Sequence, residues 1–175
     1  MKYVYNDKEY INIVSDILDN EKFKKLRDCE HHGLSRLDHS LRVSYYSYLF
    51  AKKYNLDYVK VARAGLLHDF FINEDLTEKE RKISAFVHHN VALDNSCKYF
   101  DLSNKEKNII VAHMFPLTLF RIPIYIESYL VSIIDKIVAT YEFGLTKPVI
   151  LKKRLGVVST YILMFMTFCC KFNTL

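Results

Sequence analysis

The residue types with the clearest chemical potential in this chain are its histidines. All seven of them lie between positions 31 and 113, and the rest of the chain has none. Histidine binds transition metals and exchanges a proton near neutral pH. The clustering matters only if the side chains share a pocket, and the residues three and four positions away on a helix indicate which side chains face the interior. The seven are His31, His32, His39, His68, His88, His89 and His113.

Asp135 is the most informative acidic residue. On a helix its neighbours three and four positions away are Val131, Ser132, Val138 and Ala139. They are small or apolar, so the carboxylate is predicted to face the interior. A buried carboxylate without a partner is costly, so this one requires a cation or several donors. A lone Asp135 could pair with Lys136 or an arginine.

Asp69 and three histidines, His68, His88 and His113, have mostly small or apolar helical neighbours too. A single inward histidine is usually a hydrogen-bonded core residue. Several of them with two acids, spread over different helices, indicate instead a shared divalent metal, which would neutralise the carboxylates and orient the imidazoles.

The composition predicts that helices carry these residues. The chain has 175 residues, half of them hydrophobic, which suits one globular domain with a sizeable core. Only four glycines and three prolines occur, which favours long helices over a many-stranded sheet. We therefore predict an all-α bundle of about seven helices.

Capping patterns place the helix starts. Ser35 precedes Asp38 by three residues, Thr77 is followed at the same distance by Glu80, and Ser103 by Glu106. Each pair is typical of a helix N-terminus. The predicted helices before the C-terminal segment are about 7–28, 35–54, 57–71, 77–99, 103–115 and 125–143.

The C-terminal part, 151–175, is predicted to be an apolar helix that follows the main domain of residues 1–150. Residues 155–170 carry no charge, and three basic residues precede them. Sixteen residues are fewer than the ~20 that span a bilayer. A helix packed on the domain is therefore expected, with a membrane-associated helix as the alternative.

Charge and cysteine content limit the function classes. The net charge of +5 is too small and too dispersed to indicate a nucleic-acid polymer as partner. The four cysteines form neither a disulfide framework nor a zinc-finger pattern. Without a secretory signal at the N-terminus, the chain is expected in the cytoplasm, with membrane association through 155–170 as the alternative.

The order of these residues resembles the HD superfamily of metal-dependent phosphohydrolases. The similarity covers about residues 30–143, is strong for fold and metal binding, and is weaker for substrate. The chain lacks the GYP motif and the appended nucleotide-regulatory domains of other branches, so it looks like a small stand-alone bacterial HD protein. The matching segments read LDHSLRVSYYSYLFAKKY, ARAGLLHDFF, VHHNVALDN, IIVAHMFPL and LVSIIDKIVATYE.

The resemblance implies a set of metal ligands. Two further histidines, His88 and His113, imply a second metal, with Asp69 bridging the two ions. His89 is the alternative to His88, and the pattern of HHNVAL favours the first position. The metal would be Fe, Mn, Co, Ni, Zn or Mg, one or two ions per chain. The ligands implied for the first metal are His39, His68, Asp69 and Asp135.

The function expected from the resemblance is hydrolysis of a phosphate ester or anhydride in a small phosphorylated substrate, such as a nucleotide or a nucleotide-derived signal, by a metal-activated hydroxide. Asp69, His68 and Arg36 are the expected catalytic residues. Arg36 lies one helical turn before His39 and is expected to contact the phosphate. Lys136 is the weaker candidate for that contact, since it points about 100° away.

The expectation leaves alternatives open. A non-catalytic metal- or nucleotide-binding HD module would use the same residues, and a plain helical scaffold would bind no metal. His31 and His32 could line the mouth of the site or be ordinary loop residues, and a loop is the expectation. The sequence leaves the oligomeric state open.

Overall fold

The computed structural model describes residues 4–31, 34–146 and 159, and this part of the chain is predominantly helical. The predicted all-α class is confirmed, with eight α-helices in the described part against about seven predicted. A hairpin of two-residue strands, β1 (Glu30–His31) and β2 (Leu34–Ser35), leads into the third helix. The helices are α1 Lys8–Asp19, α2 Glu21–Lys24, α3 Arg36–Lys53, α4 Tyr58–Leu67, α5 Glu78–Lys82, α6 Ser84–Tyr99, α7 Asn104–Ala112 and α8 Ile126–Thr146.

Two of the three predicted caps begin helices that position candidate residues, and the third, at Thr77, begins α5. The hydroxyl of Ser35 accepts from the backbone N–H of Asp38 at 3.1 Å and opens α3. Ser103 and Glu106 form a reciprocal capping box at the start of α7. Each such cap stabilises a helix end by about 1 kcal/mol, because it pairs an N–H that the helix leaves open.

Two predicted helices are divided in the structure. The segment 7–28 breaks at Asn20, whose side chain accepts from the N–H of Phe23 at 3.0 Å and so starts a new helix. The segment 77–99 breaks at Ile83, where φ is −119° and ψ is 25°, outside the helical region.

Two other helices end earlier than predicted, and both ends matter for the site. Helix α4 ends at Leu67 rather than near 71, and α7 ends at Ala112 rather than near 115. The residue after each end is a candidate ligand, His68 and His113, in the C-cap position.

Helix α3 lies at the centre and packs against α4 and α8. Gly65 on α4 permits the closest approach, because a Cβ at that position would lie 3.1 Å from the Cα of Ser44. The Ser44 hydroxyl donates to the carbonyl of Ala62 at 2.6 Å and accepts from the hydroxyl of Tyr10 at 2.7 Å. These contacts fix α1, α3 and α4 relative to one another.

No helix in the described part of the chain has both the length and the apolar character needed to cross a membrane. The predicted domain boundary at residue 150 and the apolar segment 155–170, apart from Ser159, lie outside the described residues.

Candidate metal centre

Five helices bring the six predicted ligands into one buried cluster. His39 lies in the first turns of α3, His68 and Asp69 directly follow α4, and His113 follows α7. The remaining two belong to α6 and α8. The most exposed of the six retains 8% of its accessible surface. The six are His39, His68, Asp69, His88, His113 and Asp135.

The carboxylate of Asp69 faces histidines on two sides. Its Oδ1 lies 3.3 Å from Nε2 of His88 and 3.6 Å from Nε2 of His113. Its Oδ2 lies 3.8 Å from Nε2 of His68. One carboxylate thus presents different oxygens to different imidazoles, which is the arrangement that a ligand shared by two ions requires.

The carboxylate of Asp135 closes the other side of the cluster. Its Oδ1 lies 3.1 Å from Nε2 of His39 and 3.6 Å from Nε2 of His68. Its Oδ2 accepts from the ammonium of Lys136 at 2.7 Å. Burial opposes ionisation of Asp135, but the charge of Lys136 and the histidine contacts outweigh it and hold the pKa well below its usual value.

Three groups of side chains have ligand atoms within 4.8 Å of one another. Two of these groups lie within the predicted ligand sets of the two metals, and the third joins residues from both sets. The groups are His39–His68–Asp69, Asp69–His88–His113 and His68–His113–Asp135.

Backbone carbonyls fix the orientation of three rings. The Nδ1 atom of His68 lies 2.8 Å from the carbonyl of Gly65, that of His113 lies 2.7 Å from Ile110, and that of His88 lies 2.7 Å from Ser84. A carbonyl oxygen only accepts, so each Nδ1 carries the hydrogen. When these rings are neutral, each Nε2 directs its lone pair into the cluster, as a metal ligand does.

The distance between the Nε2 atoms of His88 and His113 indicates whether a cation can be bound by both rings. Their Nε2 atoms are 3.0 Å apart, while both Nδ1 atoms donate to carbonyls. Two lone pairs facing each other repel unless a proton or a metal lies between them. Two ligands at right angles, each about 2.1 Å from one ion, are about 3 Å apart, so a transition metal suits this pair.

Two further histidine properties bear on metal binding. Burial, and then the neighbouring His68 and His88, hold the pKa of His113 well below its usual value, so this ring is neutral. Nε2 of His68 is buried and has no hydrogen-bond partner among the described residues. An unsatisfied buried ring nitrogen is explained by a ligand that the protein chain itself does not supply.

His89 is not part of any of the convergent groups of ligand atoms. Its Nδ1 has no hydrogen-bond partner within the described residues, and Arg121 approaches it from the loop before α8. Burial lowers the pKa of His89 to about 4, and the neighbouring His88 and Arg121 act in the same direction. The geometry therefore places His88, and not His89, beside Asp69.

Arg36 is buried at the edge of the cluster and is not a surface residue. Its guanidinium stacks 3.8 Å above the ring of Phe71, and Nη1 donates to the Phe71 carbonyl at 2.6 Å. The opposite neighbour of Phe71 is the ring of His88, at 5.2 Å between centroids. The Nε of Arg36 has no hydrogen-bond partner in the described part of the chain.

Lys136 adopts the bracing role that the sequence left open. Besides its bond to Asp135, its ammonium donates to the carbonyl of His113. It thereby joins the end of α7 to α8, and places one positive charge beside the Asp135 carboxylate.

Glu142 and Arg42 also belong to the site, and sequence reasoning missed both. The Glu142 carboxylate is fully buried and accepts from Nδ1 of His39 at 2.8 Å and from Nη1 of Arg42 at 2.7 Å. One signal existed: Glu142 lies seven residues after Asp135, which puts both acids on one helix face.

The remaining two histidines, His31 and His32, are expected in a loop from the sequence. His31 belongs instead to the short strand β1, where its backbone pairs with Leu34, and His32 lies outside the described residues.

Comparison with known families gives a match. The family model of the HD domain matches residues 36–140, more than half of the chain, and this range contains all six clustered residues. No curated protein and no solved structure matches the chain.

Proposed function

The chain belongs to the HD domain family, whose members include metal-dependent phosphohydrolases, and we propose that it hydrolyses a phosphate ester or anhydride. The substrate class that we propose is a small phosphorylated molecule, such as a nucleotide or a nucleotide-derived signal, rather than a nucleic-acid polymer. The observation that carries the proposal is the carboxylate of Asp69, which faces imidazoles through both oxygens.

We assign two metal positions to the cluster. His39, His68, Asp69 and Asp135 would hold one ion, while His88, His113 and Asp69 would hold the second. The short distances from Asp69 to histidines of both sets support this division. The mixture of imidazole and carboxylate suits Fe, Mn, Co, Ni or Zn, with Mg as a harder alternative.

The roles of the chain's own residues follow from their positions. When bound, divalent ions supply Lewis acidity, which activates water towards a phosphate and offsets the developing charge. Asp69 and His68 fix the geometry at the centre of the cluster. Arg36 is charged, buried and one aromatic ring away from His88, so it is the group that would orient the phosphate. A guanidinium suits this role because it donates several hydrogen bonds in one plane.

The test is phosphate release from a panel of nucleotides and simple phosphate esters, with Mn²⁺ or Fe²⁺ added to purified protein. We expect wild-type turnover, and a loss of at least ~100-fold for Asp69→Ala with retained helical content. Asp94→Asn, at an exposed position of α6, is the matched control and should keep full activity. Full turnover by Asp69→Ala would contradict the bridging role.

Metal binding and turnover of the wild-type protein, taken together, also distinguish the alternative functions. Wild-type protein that binds metal but cleaves no compound of the panel would favour a non-catalytic metal- or nucleotide-binding module. Protein that binds no metal at all would favour a helical scaffold.

A further inference from the structure

The fully buried carboxylate behind His39 lies outside the set of residues discussed as metal ligands. We propose that Glu142 is a positioning residue, which holds His39 in the orientation and tautomer needed for metal binding, with Arg42 holding Glu142 in turn. This inference rests on the proposed metal-dependent function and concerns the same site. Glu142 lies two residues beyond the range matched by the HD domain model.

Helix α8 supplies the two carboxylates that contact the ring nitrogens of His39. Asp135 and Glu142 are seven residues apart, about two turns and ~10.5 Å along the axis, on one face. The ring of His39 lies between them, with Nε2 3.1 Å from Asp135 and Nδ1 2.8 Å from Glu142. The two nitrogens lie on different edges of the ring, so Glu142 contacts the edge that faces away from the cluster. Accordingly, the groups of convergent ligand atoms do not include it.

Arg42 fixes the second oxygen of the same carboxylate. It lies one turn after His39 on α3, and its Nη1 donates to Oε1 of Glu142 at 2.7 Å, while Oε2 faces His39. Each oxygen of the carboxylate therefore has its own donor, which restricts its rotation.

His39 differs from the other three rings of the cluster in the acceptor on its Nδ1. The Nδ1 atoms of His68, His88 and His113 each lie within 2.8 Å of a backbone carbonyl. The Nδ1 of His39 lies 2.8 Å from the Glu142 carboxylate, so a side chain from α8 takes the place that a carbonyl takes elsewhere. A carboxylate on the distal nitrogen makes an imidazole a stronger metal ligand, and losing it typically costs 10–100-fold in metal affinity.

The test is titration of metal-free protein with Co²⁺, followed by visible absorption, which reports both affinity and coordination. Glu142→Ala should bind Co²⁺ 10–100-fold more weakly and with a changed spectrum. Glu142→Gln keeps an acceptor oxygen without the charge, so its affinity should lie between those of Glu142→Ala and wild type.

The matched control is Glu127→Gln on the same helix. Glu127 is also buried, at 5% exposure, and accepts from Lys105 at 2.6 Å, so its loss has a similar structural cost. We expect its Co²⁺ affinity and spectrum to equal those of wild type, even if its melting temperature falls as much as that of Glu142→Gln.

The outcomes separate the two claims. Wild-type affinity and spectrum in a folded Glu142→Gln variant, and in Glu142→Ala if it folds, would overturn the positioning role and leave the phosphohydrolase proposal standing. Weakened Co²⁺ binding without any phosphatase activity in the wild type would support the positioning role and contradict the enzyme. Wild-type protein that binds no Co²⁺ would overturn both.

Discussion

At the residue scale, the orientation of the four ring planes is the central feature of the cluster. The Nδ1 of each ring meets an acceptor, a carbonyl for three histidines and the Glu142 carboxylate for His39. In consequence, each Nε2 faces Asp69 or Asp135. The chain thus fixes its imidazoles before any ion arrives, which reduces the ordering cost of binding.

The protonation of His39 connects this geometry to metal uptake. Burial opposes protonation, but hydrogen bonds to Asp135 and Glu142 raise the pKa of His39 to about 10. In the metal-free protein, therefore, a proton takes the position on Nε2 that a metal would take. Metal binding must release it, so affinity should increase with pH.

The two adjacent histidines on α6 give a direct prediction. His88→Ala and His113→Ala should each lower the metal-to-chain ratio from near two to near one, because each removes a ligand of only one of the two ions. His89→Ala should leave the ratio unchanged, since His89 is not part of any of the convergent groups of ligand atoms. Elemental analysis of the three purified variants measures this. A lowered ratio in His89→Ala alone would show that the wrong neighbour was assigned.

At this scale the sequence predicts which acids and histidines are buried, but it does not predict which side chains they contact. Apolar neighbours predict that Asp135 faces inward, and the structure places it so. Glu142 has Val138 and Ala139 behind it, a similar signal, but the spacing does not reveal that His39 would lie between two acids. Likewise, the stacking of Arg36 on Phe71 depends on the loop after α4, whose path has no local signature.

At the element scale, two candidate metal ligands are positioned by helix ends. His68 and His113 follow α4 and α7, and their rings reach back to carbonyls of the last turn. Capping residues predicted the starts of α3, α5 and α7 because a cap is a local property of three or four residues. The early ends of α4 and α7 were not predicted, since the histidine side chains that satisfy those carbonyls belong to the site itself.

The contact between α3 and α4 can be tested at Gly65. Gly65→Ala should lower the free energy of unfolding by about 1 kcal/mol, because the added Cβ would meet the Ser44 backbone at 3.1 Å and the overpacking cost exceeds the gain in helix propensity. Urea unfolding followed by circular dichroism measures it. Val59→Ala, at a half-exposed position of the same helix, should change stability less. A more stable Gly65→Ala would show that the two helices can separate without cost.

At the scale of the whole molecule, the candidate site and the core are the same region. The helices that supply the ligands also form the bundle, so metal binding should stabilise the fold. At a free metal concentration 100 times the dissociation constant, the gain is about 2.7 kcal/mol. For a chain of this size, that corresponds to a rise in melting temperature of roughly 5–10 °C.

Thermal melts with Mn²⁺ and with a chelator measure this stabilisation. The Asp69→Ala variant is the control, and its melting temperature should be the same in both conditions. A wild-type melting temperature that is indifferent to metal would contradict a site built into the core.

The lowered pKa values of His89 and His113 predict how these two residues make the free energy of unfolding depend on pH. The pKa of His89 is about 4, against 6.5 for the ordinary side chain, so between these values the unfolded chain binds a proton that the folded one does not. The contribution of His89 to stability is therefore fully present above pH 6.5 and is lost as pH falls towards 4, and His113 acts in the same direction.

Urea unfolding of metal-free protein at pH 7 and pH 5 tests this dependence. The His89→Gln variant should lose less stability than wild type between the two values, because the proton uptake of residue 89 on unfolding is removed. An equal loss in both proteins would mean that His89 titrates alike in the folded and unfolded states.

The most direct measurement for the central claim is an anomalous-scattering map of crystals grown with Mn²⁺. We predict two peaks about 3.5–4 Å apart, one on each side of the Asp69 carboxylate, with His88 and His113 at one and His39, His68 and Asp135 at the other. A map without any peak among these six side chains would contradict the account.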